Sequence, residues 1–130
     1  MGLELLLIDN DKTVMNIYKN LFSEKSMKGK ILRIKDDIEK LIKPICNEKF
    51  WVEWYGAYDI DPKNLVFWGC VQTDETKERF ESNSDLMNNF RLLLDKYDYP
   101  EQARKHVHIG FESQETVDRE SDGDWYLHFK

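Results

Sequence analysis

Three histidines near the end of the sequence are the residues best suited to metal or acid–base chemistry. Apolar and polar residues alternate in segments 106–111 (HVHIGF) and 125–129 (WYLHF), and this alternation predicts two β-strands. Side chains of a strand point alternately to its two faces, so pairing of these strands places His106, His108 and His128 on one face. Neutral imidazoles in that arrangement can bind zinc or exchange protons. The polar face of an ordinary half-buried strand gives the same pattern, so both interpretations stay open.

An acidic segment connects these two strands. Residues 112–124 contain one base, Arg119, and six acids: Glu112, Glu115, Asp118, Glu120, Asp122 and Asp124. We expect a charged loop held at both ends by the strands, with Asp122-Gly123 as a tight turn. Such a loop either keeps the protein soluble or attracts a basic partner.

Aromatic residues make up 13% of the chain, which is more than one small core needs. Large rigid rings beside carboxylates are common in protein interfaces. We therefore expect Trp51, Tyr55 and Trp68 to contribute to a binding surface. The alternative is that these rings belong to the core and expose only their edges.

The elements that position these residues follow from hydrophobic spacing. Apolar residues recur with helical spacing over residues 11–24 and from Ile31 to Ile42, where Pro44 ends the second helix. Residues 50–55 and 65–71 are aromatic and β-branched, and they predict an antiparallel hairpin. Helices are expected over 74–81 and 84–97, and a brief one after Pro100.

This order of elements predicts an α+β fold. We expect an antiparallel sheet of about four strands in two hairpins, with two N-terminal helices and one or two further helices packed mainly on one face. Residues 1–130 form a single domain, with a helical part over 1–48 and an α+β part over 49–130. The length of 130 residues fits one domain with one core.

Composition excludes several functions. The net charge is −6 and no Lys/Arg run occurs, which argues against nucleic-acid binding. No stretch approaches the ~20 apolar residues of a membrane span. Glycine-rich phosphate-binding motifs are missing, so no cofactor is expected. Cys46 and Cys70 lie among apolar residues and are predicted to be reduced thiols, which indicates a cytoplasmic protein.

These features favour a small protein that binds another macromolecule. An acidic surface with aromatic anchors suits a basic protein partner, and in size, charge and composition the chain is similar to small bacterial immunity or antitoxin proteins. One alternative is a metal-binding or hydrolytic enzyme that uses the histidine face with Glu112 or Glu115. Another is a homo-oligomer in which the hairpin, apolar on both faces, packs on a second copy.

Overall fold

The computed structural model describes residues 26–130, and the helix predicted over 11–24 lies outside them. Helix α1 (Met27–Ile42) begins at Ser26, whose side chain accepts a hydrogen bond from Gly29 N at 3.0 Å. A 3-10 turn, Lys43–Ile45, contains Pro44 and ends the helix. The buried residues of α1 have the predicted helical spacing and include Ile31, Ile34, Ile38 and Ile42. The prediction of this second helix is confirmed.

The sheet has three strands in the order β1-β2-β3: β1 is Trp51–Tyr55, β2 is Val66–Val71 and β3 is His108–Ser113. Strands β1 and β2 form the predicted antiparallel hairpin, with Trp54 opposite Phe67. Strand β3 pairs with β2 in parallel. The predicted sheet of four antiparallel strands in two hairpins is therefore wrong.

The parallel pairing follows from the long connection between β2 and β3. This connection contains α2 (Asp74–Glu81), α3 (Ser84–Lys96) and the short α4 (Glu101–Arg104), all close to the predicted helices. Helices of this length carry the chain back to the end of the sheet where β2 began. The next strand then runs in the same direction as β2, which a short hairpin loop cannot achieve.

Residues 114–130 differ most from the prediction. Residues predicted as an acidic loop form α5 (Gln114–Ser121), and the predicted strand over 125–129 is a helix, α6 (Trp125–Phe129). Side chains cap both helices: Ser113 Oγ accepts from Thr116 N, and Asp124 Oδ1 accepts from Leu127 N. The five residues 125–129 are too few to distinguish the alternation of a strand from helical spacing. The side-chain caps at Ser113 and Asp124 therefore decide that the end of the chain is helical.

The two faces of the sheet are covered differently. The first face carries Phe67 and Phe111 and packs against α1, α2 and α3 around one apolar core. The second face carries Trp68 and Glu112 and is covered by α6. Helices therefore lie on both faces of the sheet instead of mainly on one. The described part of the chain is α+β, with six helices and a mixed three-stranded sheet.

Candidate functional site

A buried carboxylate lies on the second face near the end of the edge strand β3. Glu112 is 8% exposed, although the sequence predicted it as part of an exposed acidic loop. Its Oε2 lies 2.7 Å from Nε2 of His128, and its Oε1 accepts from Lys77 Nζ at 2.8 Å and from Ser113 N at 2.9 Å. Desolvation acts to raise the pKa of Glu112, but the hydrogen bonds from Lys77, His128 and Ser113 outweigh it and lower that pKa.

His128 extends this contact to a hydroxyl. Its Nδ1 lies 3.0 Å from Ser121 Oγ, so Ser121, His128 and Glu112 follow the order of a nucleophile, a base and an orienting carboxylate. Ser121 is the last residue of α5 and precedes Asp122. The negative end of the helix dipole and this acidic neighbour oppose an alkoxide on Ser121. The arrangement favours a structural role, in which His128 fastens α6 to β3.

A second polar cluster occupies the N-termini of α2 and α5, which begin side by side at the ends of parallel strands. Asp74 accepts hydrogen bonds from Ser113 Oγ, from Thr116 Oγ1 at 2.6 Å and from Arg119 Nη1 at 3.0 Å. These bonds lower the pKa of Asp74 to about 2. Glu115 Oε1 in turn accepts from Asp74 N at 2.9 Å. Helix N-termini are common anion sites, and here the chain's own carboxylates fill them.

The structure separates the three histidines of the predicted metal site. His106 lies exposed in the turn after α4, His108 packs at a tilt against Trp68 with ring centroids 4.6 Å apart, and His128 belongs to α6. Pairing of the predicted strands 106–111 and 125–129 would have brought the three histidines together, but residues 125–129 are helical. Within residues 26–130, no group of three His, Cys, Asp or Glu side chains is placed to hold a metal ion.

Helix α6 covers the second face with aromatic rings. Phe129 stacks on Trp68 with centroids 5.1 Å apart and lies 5.8 Å from Tyr55, while Trp125 meets Trp51 edge-on at 5.0 Å. Trp68 Nε1 donates to the hydroxyl of Tyr55 at 3.0 Å. Phe129 therefore covers much of Trp68, whereas Tyr55 stays 39% exposed.

An open cleft of about 530 Å³ lies between α6 and β1. Glu53 and Lys130 supply its charged groups, and Glu53 Oε1 accepts from Trp51 Nε1 at 3.1 Å. Five aromatic residues line it: Trp54, Tyr55, Trp125, Tyr126 and Phe129. We call these seven residues the aromatic cleft. Tyr126 is 74% exposed, so a ring at this cleft is open to solvent.

Exposed acids adjoin the aromatic cleft through α5 and the start of α6. Five of the six predicted acids are exposed: Glu115, Asp118, Glu120, Asp122 and Asp124. We call these five residues the acidic patch. Asp122 ends α5 in the left-handed conformation, with φ 52°, and Asp124 caps α6, which lines the cleft. The acidic patch is thus fixed to a helical scaffold and not to a loop.

Sequence reasoning missed Glu53 and Lys130, which line the aromatic cleft, and Lys77, which pairs with Glu112. One available signal was phase: Glu112 continues the alternation of His108, so it belongs to the second face of β3. Another was the capping pattern. Residues 113–116 (SQET) repeat the hydroxyl-x-Glu-Thr pattern of residues 73–76 (TDET), which cap α2, and so predict a helix in the acidic segment.

Comparisons with protein-family models, with curated proteins and with solved structures find no match. No helix among residues 26–130 has the length and apolarity needed to cross a membrane. The function must therefore be argued from the aromatic cleft, the acidic patch and the polar chain that holds α6 in place.

Proposed function

We propose that this chain binds a basic protein partner in the cytoplasm, in the manner of small immunity or antitoxin proteins that mask a site on their target. The observation that carries the proposal is that α6, which lines the aromatic cleft, begins at Asp124 of the acidic patch and follows α5, which carries the other acids of the patch. Exposed aromatic rings supply contact area at low entropic cost, and the neighbouring carboxylates select a cationic surface.

Charge supports the same partner chemistry. The chain has a net charge of −6, and Arg119, the one base in the acidic segment, is engaged by Asp74 at 3.0 Å. The carboxylates of the acidic patch therefore face solvent with little local compensation. Their field speeds encounter with a cationic protein and weakens as salt shortens the Debye length.

The alternative functions have less support. Ser121, His128 and Glu112 are ordered like a hydrolytic triad, but the end of α5 is electrostatically unfavourable for a serine nucleophile. Self-association, the other alternative, requires a hairpin with both faces uncovered, and α6 covers one of these faces. A cytoplasmic location accords with the two cysteines, because Cys46 and Cys70 are free thiols and Cys70 is buried.

Charge reversal on α5 tests the proposal. Asp118→Lys with Glu120→Lys spares Glu115, which holds α2 through Asp74 N. The matched control is Asp36→Lys with Glu78→Lys, two exposed acids on α1 and α2. Each pair of reversals adds four charge units, so both variants change the net charge from −6 to −2.

The protein, used as bait in a lysate of its source organism, should retain a basic protein in stoichiometric amount. With that partner purified, the α5 reversal should slow association at least roughly tenfold at low salt, and the control reversal much less. Equal slowing by both variants would show that only net charge matters and would contradict a defined surface. Retention of no stoichiometric basic protein would contradict the proposal altogether.

A further inference from the structure

We infer that the aromatic cleft receives one cationic side chain, a lysine or an arginine of the partner. This inference rests on the proposed function and assigns a chemical role to the cleft within it. Three observations support it: the ring faces around the cleft, the carboxylate at its wall, and an ammonium group that already lies on one of the rings.

The rings provide the first part of a cation site. A cation within about 6 Å of an aromatic centroid is attracted by the negative face of the ring. Tyr55, Trp125, Tyr126 and Phe129 approach the same space from β1 and α6. A lysine or arginine stem is apolar, so it can pack along these rings while its charged end stays near water.

Lys130 shows that the cleft accepts a cation. Its Nζ lies 5.7 Å from the centroid of Tyr126, and both residues line the cleft. Because Tyr126 is 74% exposed, the contact is shallow and the ammonium can move away into water. Lys130 therefore acts as a weak internal competitor for a cation that enters from outside.

Glu53 distinguishes a cationic guest from an apolar one. Glu53 lines the cleft, and its carboxylate accepts a hydrogen bond from Trp51 Nε1 at 3.1 Å. A cationic guest pairs with this carboxylate. An apolar guest would remove water from it without giving a partner, which costs free energy. The cleft should thus prefer lysine or arginine over an aliphatic side chain of similar length.

Titration with small amino-acid probes tests this preference without the partner. The probes are N-acetyl-lysine amide, N-acetyl-arginine amide and, as the neutral analogue, N-acetyl-norleucine amide. The indole N–H signal of Trp125, which belongs to α6, reports occupation of the cleft in two-dimensional NMR. Lysine or arginine should shift this signal saturably, and norleucine should bind at least roughly threefold more weakly.

Three variants and one control variant sharpen the test. Glu53→Gln should weaken lysine binding roughly threefold, while the matched loss of one charge in Asp85→Asn on α3 should leave it unchanged. Tyr126→Leu should also weaken binding roughly two- to fivefold. Lys130→Met should strengthen binding roughly twofold, because the internal competitor is gone.

The outcomes separate this inference from the proposed function. Equal binding of norleucine and lysine, or unchanged binding in Glu53→Gln, overturns the inference; so does the absence of saturable shifts. If partner binding depends on Asp118 and Glu120 but withstands Glu53→Gln and Tyr126→Leu together, the proposed function stands and the inference fails. If the probes bind as expected and no basic partner is retained, the proposed function fails and the cation site remains.

Discussion

The two faces of the sheet are stabilised by different physical means. The first face is sealed by three helices, and Phe67, Phe111 and Ile34 there are at most 1% exposed. The second face is covered by one helix of five residues, in which Tyr126 and Leu127 remain 74% and 55% exposed. A short helix has little intrinsic stability, so α6 depends on its contacts with the sheet.

This contrast shows where the molecule can bind another. The first face is held mainly by apolar burial beneath three helices. On the second face, aromatic stacking and the chain Ser121–His128–Glu112–Lys77 hold α6 at the sheet while leaving the aromatic cleft open. Because polar contacts hold α6 at the sheet, the aromatic rings beside β1 can stay exposed. If α6 were held by apolar contacts alone, these rings would have to be buried.

The largest expected effect concerns two aromatic residues that face each other across β1 and β2, on the first face of the sheet. Phe67→Ala should lower the free energy of unfolding by about 3–5 kcal/mol, because a large ring leaves a fully enclosed core. Trp54 is its cross-strand neighbour but borders the aromatic cleft and is only partly buried. Trp54→Ala should cost about half as much. Urea unfolding of both variants would measure the difference, and equal losses would mean that the cleft is closed in solution.

Long periodic segments were predictable from the sequence, whereas short ones were not. The spacing of α1 and α3 is repeated over three or more turns, so their buried faces follow directly from it. The direction of β3 depends on helices packed far along the chain, and no local signal carries it. The site was only partly predictable from the sequence. Five of the six expected acids are exposed, but of the three expected aromatic residues only Tyr55 lines the aromatic cleft. The burial of Glu112 requires α6, whose five residues fit either a strand or a helix.

The next effect concerns the charged anchor of the second face. Glu112→Gln removes the ionic partner of Lys77 and the carboxylate that contacts His128 Nε2, and we expect a loss of about 2 kcal/mol at neutral pH. The pKa of Glu112 is lowered in the folded state, so its contribution is present above the ordinary value of 4.5 and disappears as pH falls through the folded value. The stability difference between wild type and variant should therefore shrink in acid.

Chemical denaturation at a series of pH values would measure this difference. The control is Asp118→Asn, which removes a carboxylate from the exposed side of α5 and should cost less than about 0.5 kcal/mol. A Glu112→Gln loss that stays constant from neutral to acidic pH would contradict an ionised, paired carboxylate at this position.

The smallest effect isolates α6 itself. Phe129→Ala removes the ring stacked on Trp68 and should cost about 1–2 kcal/mol, because the side chain is only half-buried and α6 can detach without unfolding the core. Leu127→Ala on the exposed side of the same helix is the matched control and should change stability by less than about 0.5 kcal/mol. Amide hydrogen exchange should show faster opening of α6 in Phe129→Ala, with β2 and α1 still protected. If both variants lowered the protection of β2 and α1 as well, the two faces would unfold as one unit and their contrast in stability would be wrong.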